Sequence, residues 1–457
     1  MEAADRQTDG VVVEVETQPR RLLHEARDWG ELLLTRQLVE PLFVEGPGRS
    51  ISSKLFSGVV REDRHTWRLV LCDEARWSDG TPIAARDVCE QLRRAALARG
   101  AATVCLAFLA ELRLVDQRTV QLITRVPVGE VGRLLTCPAA GPAPRARGVA
   151  SGKYSLARRQ PDHTVLTRPD RGPQVTAVTF ADRSAYDRAV ATGALDASSL
   201  TTGANPAWDG QPGHFVSAAD LDVLVGLDLP AVLGPATDIA RAIDRAAIAR
   251  AERDLLRPIR TLTGLWTDTG PTSEAAERSV RAARAATRSE RERGWPLYYA
   301  EFEPNRKVAR MLADQLWQRL GLRLVPVKRP YEEFIMDRER AQDAFRLTLT
   351  APAWTHPVAP LAPAYLRSRR SGSAPEEFLR RFEAALAAES PAEAVRRAAL
   401  AERLLAGTAD RPAPVPVAGL RAQMRHRGPA NLWIPPSGLL DFTSLSDAHS
   451  SREAEHR

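Results

Sequence analysis

At 457 residues the chain exceeds the length at which one hydrophobic core stops growing, so two or three lobes are expected rather than a single ball. Its 44% hydrophobic share supports well-packed cores, yet the best apolar run, Val104 to Ala110, ends at Glu111, far short of the roughly 18 apolar residues a membrane helix needs, which argues against a membrane span. The formal charge of +7 rests on arginines scattered among Asp and Glu, with lysine only at 54, 153, 307 and 328; no basic stripe forms, which speaks against a nucleic-acid face.

In chain order, the polar start Met1-Glu2-Ala3-Ala4-Asp5-Arg6 lacks an apolar leader core and a lipid-attachment cysteine. The sequence as written is therefore expected to be cytoplasmic, and extracytoplasmic if a leader precedes it. Val11 to Val15 is a β-branched strand, Asp28 to Leu38 a helix, and Glu40-Pro41-Leu42-Phe43 a turn. Thr66 to Leu71 alternates as a strand and runs through Arg76-Trp77 into Ser78-Asp79-Gly80-Thr81-Pro82, where Asp-Gly marks a turn. Val88, Leu92 and Ala96 then repeat at helical spacing, with Asp87 in the first turn where its charge suits the helix dipole. Leu112 to Val115 and Thr119 to Ile123 flank Asp116-Gln117-Arg118 as a hairpin.

Residues 137–149, rich in Pro and Gly, read as a surface connection at a lobe boundary. Beyond it come strands around Gly152-Lys153-Tyr154-Ser155-Leu156, His163 to Leu166 and Val175 to Phe180, the helix Ser184 to Thr192, and Gly193-Ala194-Leu195-Asp196. Arg278 to Arg293 mixes its arginines with Glu290 and Glu292 and reads as a solvated helix or linker. Leu297 to Ala300, a helix with Val308, Leu312, Leu316 and Leu320 on one face, Gly321 as its cap, and Leu322 to Val327 make a βαβ unit with parallel strands. Two helical tracts, Glu376 to Ala387 and Pro391 to Leu405, precede a Pro-rich strand region at Pro412 to Val417, and the tail after Asp447 is polar and expected to be disordered.

Cys72, Cys89, Cys105 and Cys137 form no C-x-x-C pair and have no histidines at zinc spacing, so they are expected to be buried as small apolar residues, with no structural metal. No phosphate-binding glycine loop, G-x-S-x-G elbow or H-E-x-x-H motif occurs; no cofactor and no catalytic residue is assigned.

The segment Trp67-Arg68-Leu69-Val70-Leu71 through Arg76-Trp77-Ser78-Asp79-Gly80-Thr81-Pro82-Ile83-Ala84-Ala85-Arg86-Asp87-Val88 resembles the signature of bacterial extracellular solute-binding proteins, family 5, which bind peptides, dipeptides and nickel for ABC importers. Further landmarks follow in order: Glu40-Pro41-Leu42, the Val115-Asp116 hairpin, Gly152-Lys153-Tyr154, Gly193 to Asp196 and Ala242-Ile243-Asp244-Arg245, together spanning roughly residues 10–445. The resemblance implies an α/β, periplasmic-binding-protein-like fold of type II, cluster C, two-lobed with a small inserted subdomain and a hinge. Its lobe I would comprise 10–48, 150–237 and the return 431–445, the inserted subdomain 49–149, and lobe II 238–430, with 446–457 as a disordered tail. Ligand would be enclosed between the lobes by hinge closure.

Within that family the turn and helix-start residues Asp79, Gly80 and Asp87 are structural, and Asp244 is expected to pair with Arg241 three residues back on a helix face. The informative stretch is Ala351-Pro352-Ala353-Trp354-Thr355-His356-Pro357-Val358. Peptide-binding members usually write W-x-x-D-Y-x-D/E-P here, the Trp lining the pocket and the first Asp pairing with the ligand amine. Trp354 is kept and the carboxylate is missing, and a buried ammonium without a counter-charge is costly, with His356 as a switchable replacement. Trp354, His356, Tyr331 and Phe334 are the candidate ligand-binding residues, although a core aromatic, a turn residue and amphipathic packing explain them as well. The expected partners are a peptide or other small organic ligand and an ABC permease, with the protein itself a monomer. The alternatives are a repurposed cytoplasmic ligand sensor, which would lack a DNA-reading segment ahead of its first strand, and an enzyme or carrier in a biosynthetic pathway. The enzyme alternative would have His356, Asp268 and Glu301 as its acid/base candidates.

Overall fold

The computed structural model describes residues 10–144, 149–170, 172–201, 206–209, 211, 213–230, 236–266, 293–300, 304–330, 333–334, 344–372, 374–405 and 414–447. Most of the arginine-rich stretch 278–293, the tail beyond Asp447, Tyr331, Asp268 and Glu301 lie outside these residues. The chain divides into two compact units: residues 1–219, 353–355 and 422–457, and residues 220–352 and 356–421.

The first unit begins with β1 (Gly10–Glu14), whose alternation buries Val11 and Val13. Helix α1 (Trp29–Leu38) follows, started by Asp28, whose side chain accepts from the Glu31 amide at 2.8 Å. Its buried Gln37 donates to Leu33 O at 2.9 Å and Leu440 O at 2.8 Å and accepts from the Phe442 amide at 3.0 Å, binding the C-terminal segment to the helix. Strands β2 (Val44–Glu45) and β3 (Ile51–Ser52) pair as a short ribbon, and β4 (Phe56–Arg61), β5 (Thr66–Leu71), β6 (Leu109–Leu114) and β7 (Thr119–Thr124) form an antiparallel sheet in the order β4-β5-β7-β6. Helix α2 (Ala85–Leu97) packs on β6 and β7, and Trp67, Leu69, Leu71, Val120 and Leu122 supply the buried face of the sheet. Short helices α3 (Ala102–Leu106) and α4 (Val131–Leu134) complete this region.

The Ser78-to-Pro82 stretch is a structural turn, as the resemblance implies. Asp79 accepts from the Thr81 amide at 2.9 Å and hydroxyl at 2.7 Å, Gly80 takes the left-handed angle φ = +85° that a side chain resists, and Asp87 accepts from the Ala84 amide at 2.9 Å to start α2.

The stretch after Cys137 departs from the expected surface connection. Residues 137–142 are buried, because Pro138–Ala140 form a tight 3-10 turn that satisfies its own backbone (Ala140 N to Cys137 O at 3.0 Å, Gly141 N to Pro138 O at 2.9 Å) and offers only small apolar side chains to α1 and α2. Proline and glycine mark a sharp change of direction here, not exposure. The second sheet of this unit follows, β8 (Ser155–Arg159), β9 (His163–Thr167) and β10 (Gln174–Val178), with β10 antiparallel to β9 and parallel to β1. Helix α5 (Arg183–Ala191) packs Tyr186 and Val190 into a cluster with Val178, Leu195 and Trp208.

The second unit is built on a mixed six-stranded sheet in the order β12-β16-β11-β15-β13-β14: β11 (Phe215–Asp228), β12 (Leu256–Arg257), β13 (Trp295–Ala300), β14 (Leu324–Arg329), β15 (Phe345–Thr350) and β16 (Val415–His426). Strand β13 is parallel to both β14 and β15, and the helix Asn305–Leu320 between β13 and β14 buries Val308, Leu312, Leu316 and Leu320 before Gly321 ends it at φ = +70°. The expected βαβ unit is present. Helices α6 (Ala236–Ala242) and α7 (Arg245–Ala251) are separate, so Asp244 does not continue the face that carries Arg241; it caps α7 through the Ala247 amide at 2.8 Å and pairs with Arg319 at 3.4 Å. The buried Arg245 donates to the carbonyls of Ala240 (2.7 Å), Ile243 (3.2 Å) and Pro416 (2.9 Å), tying the break between the helices to β16.

Candidate functional site

After β15 the chain crosses into the first unit for three residues, Ala353 to Thr355, and returns to the second at His356. This hook carries Trp354, 3% exposed, whose ring lies against Phe108 with centroids 5.9 Å apart and planes tilted by 54°. Phe108 is placed by the turn after α3, where its amide donates to Cys105 O at 3.2 Å.

Thr355 is held at both ends of its polar inventory. Its amide donates to Thr136 Oγ1 at 2.8 Å and its hydroxyl to Glu45 Oε2 at 3.4 Å. Thr136 Oγ1 in turn donates to Arg133 O at 3.1 Å, Arg133 donates to Arg49 O at 2.7 Å and to Glu130 at 2.6 Å, and Arg49 meets Glu45 Oε1 at 3.1 Å. A closed polar ring of Glu45, Arg49, Arg133, Thr136 and Thr355 thus sits beside the Trp354–Phe108 contact. Charge-assisted bonds to the buried Glu45 and Arg133 hold geometry firmly, because breaking them leaves a desolvated group behind.

His356 and Phe334 belong to the second unit. His356, 2% exposed, accepts from the Val358 amide at Nδ1 (3.2 Å), which assigns the neutral tautomer with its proton on Nε2. Phe334 is buried under the Arg346 guanidinium, 4.5 Å from its ring centroid, and Arg346 also donates to Phe334 O.

Carboxylates that the sequence did not single out lie at the end of β1 and beyond it. Glu14 accepts from the Ser199 amide at 2.8 Å and Glu16 from the Thr201 hydroxyl. Burial raises the pKa of Glu16, with the Asp28 charge adding to it. Asp28 is pushed up to about 6, chiefly by burial and further by the Glu31 carboxylate, against the opposing Arg21 charge.

A Ser–His contact exists but is set against catalysis. His426 Nδ1 accepts from the Gly428 amide at 3.1 Å, so Nε2 bears the proton and donates to Ser217 Oγ at 2.9 Å, whereas a general base would need Nε2 free to accept. Among the described residues no group of three or more His, Cys, Asp or Glu could hold a metal ion, and no helix is long and apolar enough to cross a membrane.

A family model described as "Bacterial extracellular solute-binding proteins, family 5 Middle" matches residues 50–220. The likeness to family 5 at the level of sequence is thus shown for this segment, residues 50–220. The matched residues hold the Trp77–Asp87 turn and helix start, the β4-β5-β7-β6 sheet and the Phe108 and Thr136 supports of the hook. No curated protein matches the chain by sequence.

Solved structures share the fold of this protein along nearly the whole chain. The murein tripeptide binding protein MppA of Escherichia coli superposes with a TM-score of 0.76 at 16% identity, covering 96% of this chain and 98% of that one. OppA of Haemophilus influenzae, in complex with the peptide RPPGFSPFR, gives 0.72 at 15% identity, with 96% and 99% covered. NikA of Staphylococcus aureus, in complex with Ni(L-His)2, gives 0.74 at 13% identity, with 95% and 98% covered. The architecture is therefore α/β and periplasmic-binding-protein-like.

Proposed function

We propose that the protein is a solute-binding receptor that captures a peptide or another small organic ligand and delivers it, as a monomer, to an ABC permease outside the cytoplasm. The observation that carries this reading is the fold, which follows receptors of known ligands over at least 95% of the chain in MppA, OppA and NikA. The domain scheme inferred from the resemblance, with 49–149 as the inserted subdomain, belongs to the same proposal.

Trp354, His356, Tyr331 and Phe334 are proposed to contribute to ligand recognition. The hook supports the role of Trp354, since three residues anchored by Phe108, Thr136 and Glu45 present an aromatic ring at a fixed place. The His356 tautomer shapes the expected ligand. A neutral ring carries no negative charge to offset an ammonium, so it does not take the place of the missing aspartate. With that aspartate absent after Trp354, the ligand is expected to engage this stretch through acceptor groups or apolar surface.

The test is a thermal-shift screen of the purified chain against tri- to nonapeptides, their N-acetylated forms and histidine–nickel complexes. Stabilisation by acetylated and free peptides alike is the expected result. Stabilisation by free-amine peptides only would overturn the acceptor reading, and no response to any class would overturn peptide capture.

A further inference from the structure

The sheet β4-β5-β7-β6 ends on β6, and apolar residues along that edge are turned to solvent. Leu97 of α2 is 84% exposed, Leu114 of β6 is 50% exposed, and Leu112 is half-buried. A lone exposed leucine is ordinary, but apolar side chains in a row beside an open strand edge are a template for another chain.

The ladder fixes which backbone groups are open. The β6–β7 hairpin closes with Val115 N donating to Thr119 O at 3.0 Å, and the register sets Arg113 opposite Gln121 and Glu111 opposite Ile123. By the alternation of an antiparallel ladder, Val115, Arg113 and Glu111 turn their backbone groups to β7, so Leu112 and Leu114 turn theirs away from it. Leu112 O accepts from the Arg93 guanidinium at 3.2 Å; no strand lies beyond β6 to meet Leu112 N, Leu114 N or Leu114 O among the described residues. A register shift between Leu109 and Glu111 bends only the start of the strand, and neither proline nor lysine guards the rest of it.

Helix α2 makes the wall beside this edge. It runs antiparallel to β6, with Ala85 N bonded to Gln117 O at 2.9 Å at its start and Arg93 bonded to Leu112 O farther along. Arg86, Arg93 and Leu97, spaced by seven and four residues, share the flank that Arg93 sets over the edge. Leu112 and Leu114 lie directly opposite the buried Leu122 and Val120, on the face where α2 packs. Charge on the helix side is one-signed. Arg86 is neutralised by Glu90 at 3.0 Å, whereas Arg93, Arg94 and Arg99 are exposed and meet no carboxylate among the described residues.

We propose that the edge of β6 and the α2 flank beside it bind an extended segment of a partner protein in which acidic side chains alternate with apolar ones. The segment adds to the sheet as a further strand. Its backbone bonds Leu112 N, Leu114 N and Leu114 O, its apolar side chains cover Leu97, Leu112 and Leu114, and its carboxylates meet Arg93, Arg94 and Arg99. The open backbone groups supply the binding mode, and the unmatched arginines select an acidic partner over a neutral or basic one.

The experiment mixes the full chain with dye-labelled, N-acetylated hexapeptides, one of alternating glutamate and valine and one of alternating lysine and valine. It reads fluorescence anisotropy, amide hydrogen exchange by mass spectrometry and, by light scattering, the mass of the protein alone. The glutamate peptide is expected to bind and to slow exchange within 109–115, leaving β7 and the second unit unchanged. Arg93→Glu and Leu97→Asp are each expected to weaken it about tenfold, and Arg93→Glu to improve binding of the lysine peptide. Both positions are exposed, and the exchange pattern of the wild-type protein decides the question even if a variant does not fold. No binding of the glutamate peptide up to about 1 mM, equal binding of the lysine peptide, or slowed exchange elsewhere than 109–115 overturns the proposal. So does unaltered affinity in Arg93→Glu, and so does a concentration-dependent dimer that slows the same amides, which gives the edge to a second copy. The site is read from exchange at β6 and does not rest on the receptor reading, so failure here is distinct from failure of solute capture.

Discussion

Thr136→Val removes one hydroxyl at nearly constant volume and so isolates the tether of the hook. In the native protein that hydroxyl accepts from the Thr355 amide at 2.8 Å and donates to Arg133 O at 3.1 Å. Replacing it leaves a donor at Thr355 and an acceptor at Arg133 without their partner, in surroundings where Trp354 and Arg133 are buried. A neutral hydrogen bond contributes roughly 1 kcal/mol net, and leaving a buried partner unsatisfied costs about 1–3 kcal/mol. Local opening of the hook should therefore become about 1.5 kcal/mol easier, which is roughly a tenfold rise in its open population. Amide hydrogen exchange followed by mass spectrometry reads this directly: peptides containing Thr355 should exchange about tenfold faster, while peptides from β13 and the helix Asn305–Leu320 keep their wild-type rates. Thr136→Ser, which keeps the hydroxyl, should restore most of the protection. Wild-type exchange at Thr355 in Thr136→Val, or equal acceleration across the whole second unit, would refute the tether.

Two further variants follow from the first unit. Asp28, whose pKa is raised to about 6 from an ordinary 3.8, binds a proton more readily folded than unfolded, so its contribution favours the folded state below pH 4 and is lost as pH rises through 6. Asp28→Asn keeps an N-cap acceptor and should gain at most about 3 kcal/mol at pH 7 and flatten the stability profile between pH 4 and 6 by urea denaturation; an unchanged profile would contradict the raised value. Gly152→Ala would place its Cβ 2.6 Å from three backbone atoms, Gln37 O, Leu38 C and Val39 N, none of which can swing aside. A loss of about 2 kcal/mol or more by urea denaturation is expected despite the entropic benefit of Ala, and a stabilised variant would refute the close approach.

Much of the fold could be read from local pattern. Val11 and Val13 alternate because one face of β1 is buried, the 3.6-residue repeat of Val308, Leu312, Leu316 and Leu320 marks a buried helix face, and Asp79-Gly80 can hardly be anything but a turn. Pattern fails where the deciding contact is remote. Pro138-Ala139-Ala140 looks like a surface loop until α1 and α2 are folded over it, and Asp244 reads as the partner of Arg241 until the helix breaks between them. The same holds for the hook. Trp354 was found by its place in a familial stretch, but its supports Phe108, Thr136 and Glu45 come from positions more than 200 residues away, and nothing local in them signals that role. Cys89, Cys105 and Cys137 are buried as their apolar neighbours in the sequence suggest, whereas Cys72, on the same expectation, is half-buried and donates its thiol to Lys54 O.

The claim that the chain captures a solute is tested most directly by what it carries. Protein purified without denaturation should be unfolded in organic solvent and the released small molecules identified by mass spectrometry. Recovery of peptides or of one organic solute in near-stoichiometric amount, displaced by excess of the same compound and diminished in Trp354→Ala, is the predicted result. Protein that releases nothing, and that shows no heat of binding with any compound found by thermal shift, would contradict the receptor function itself.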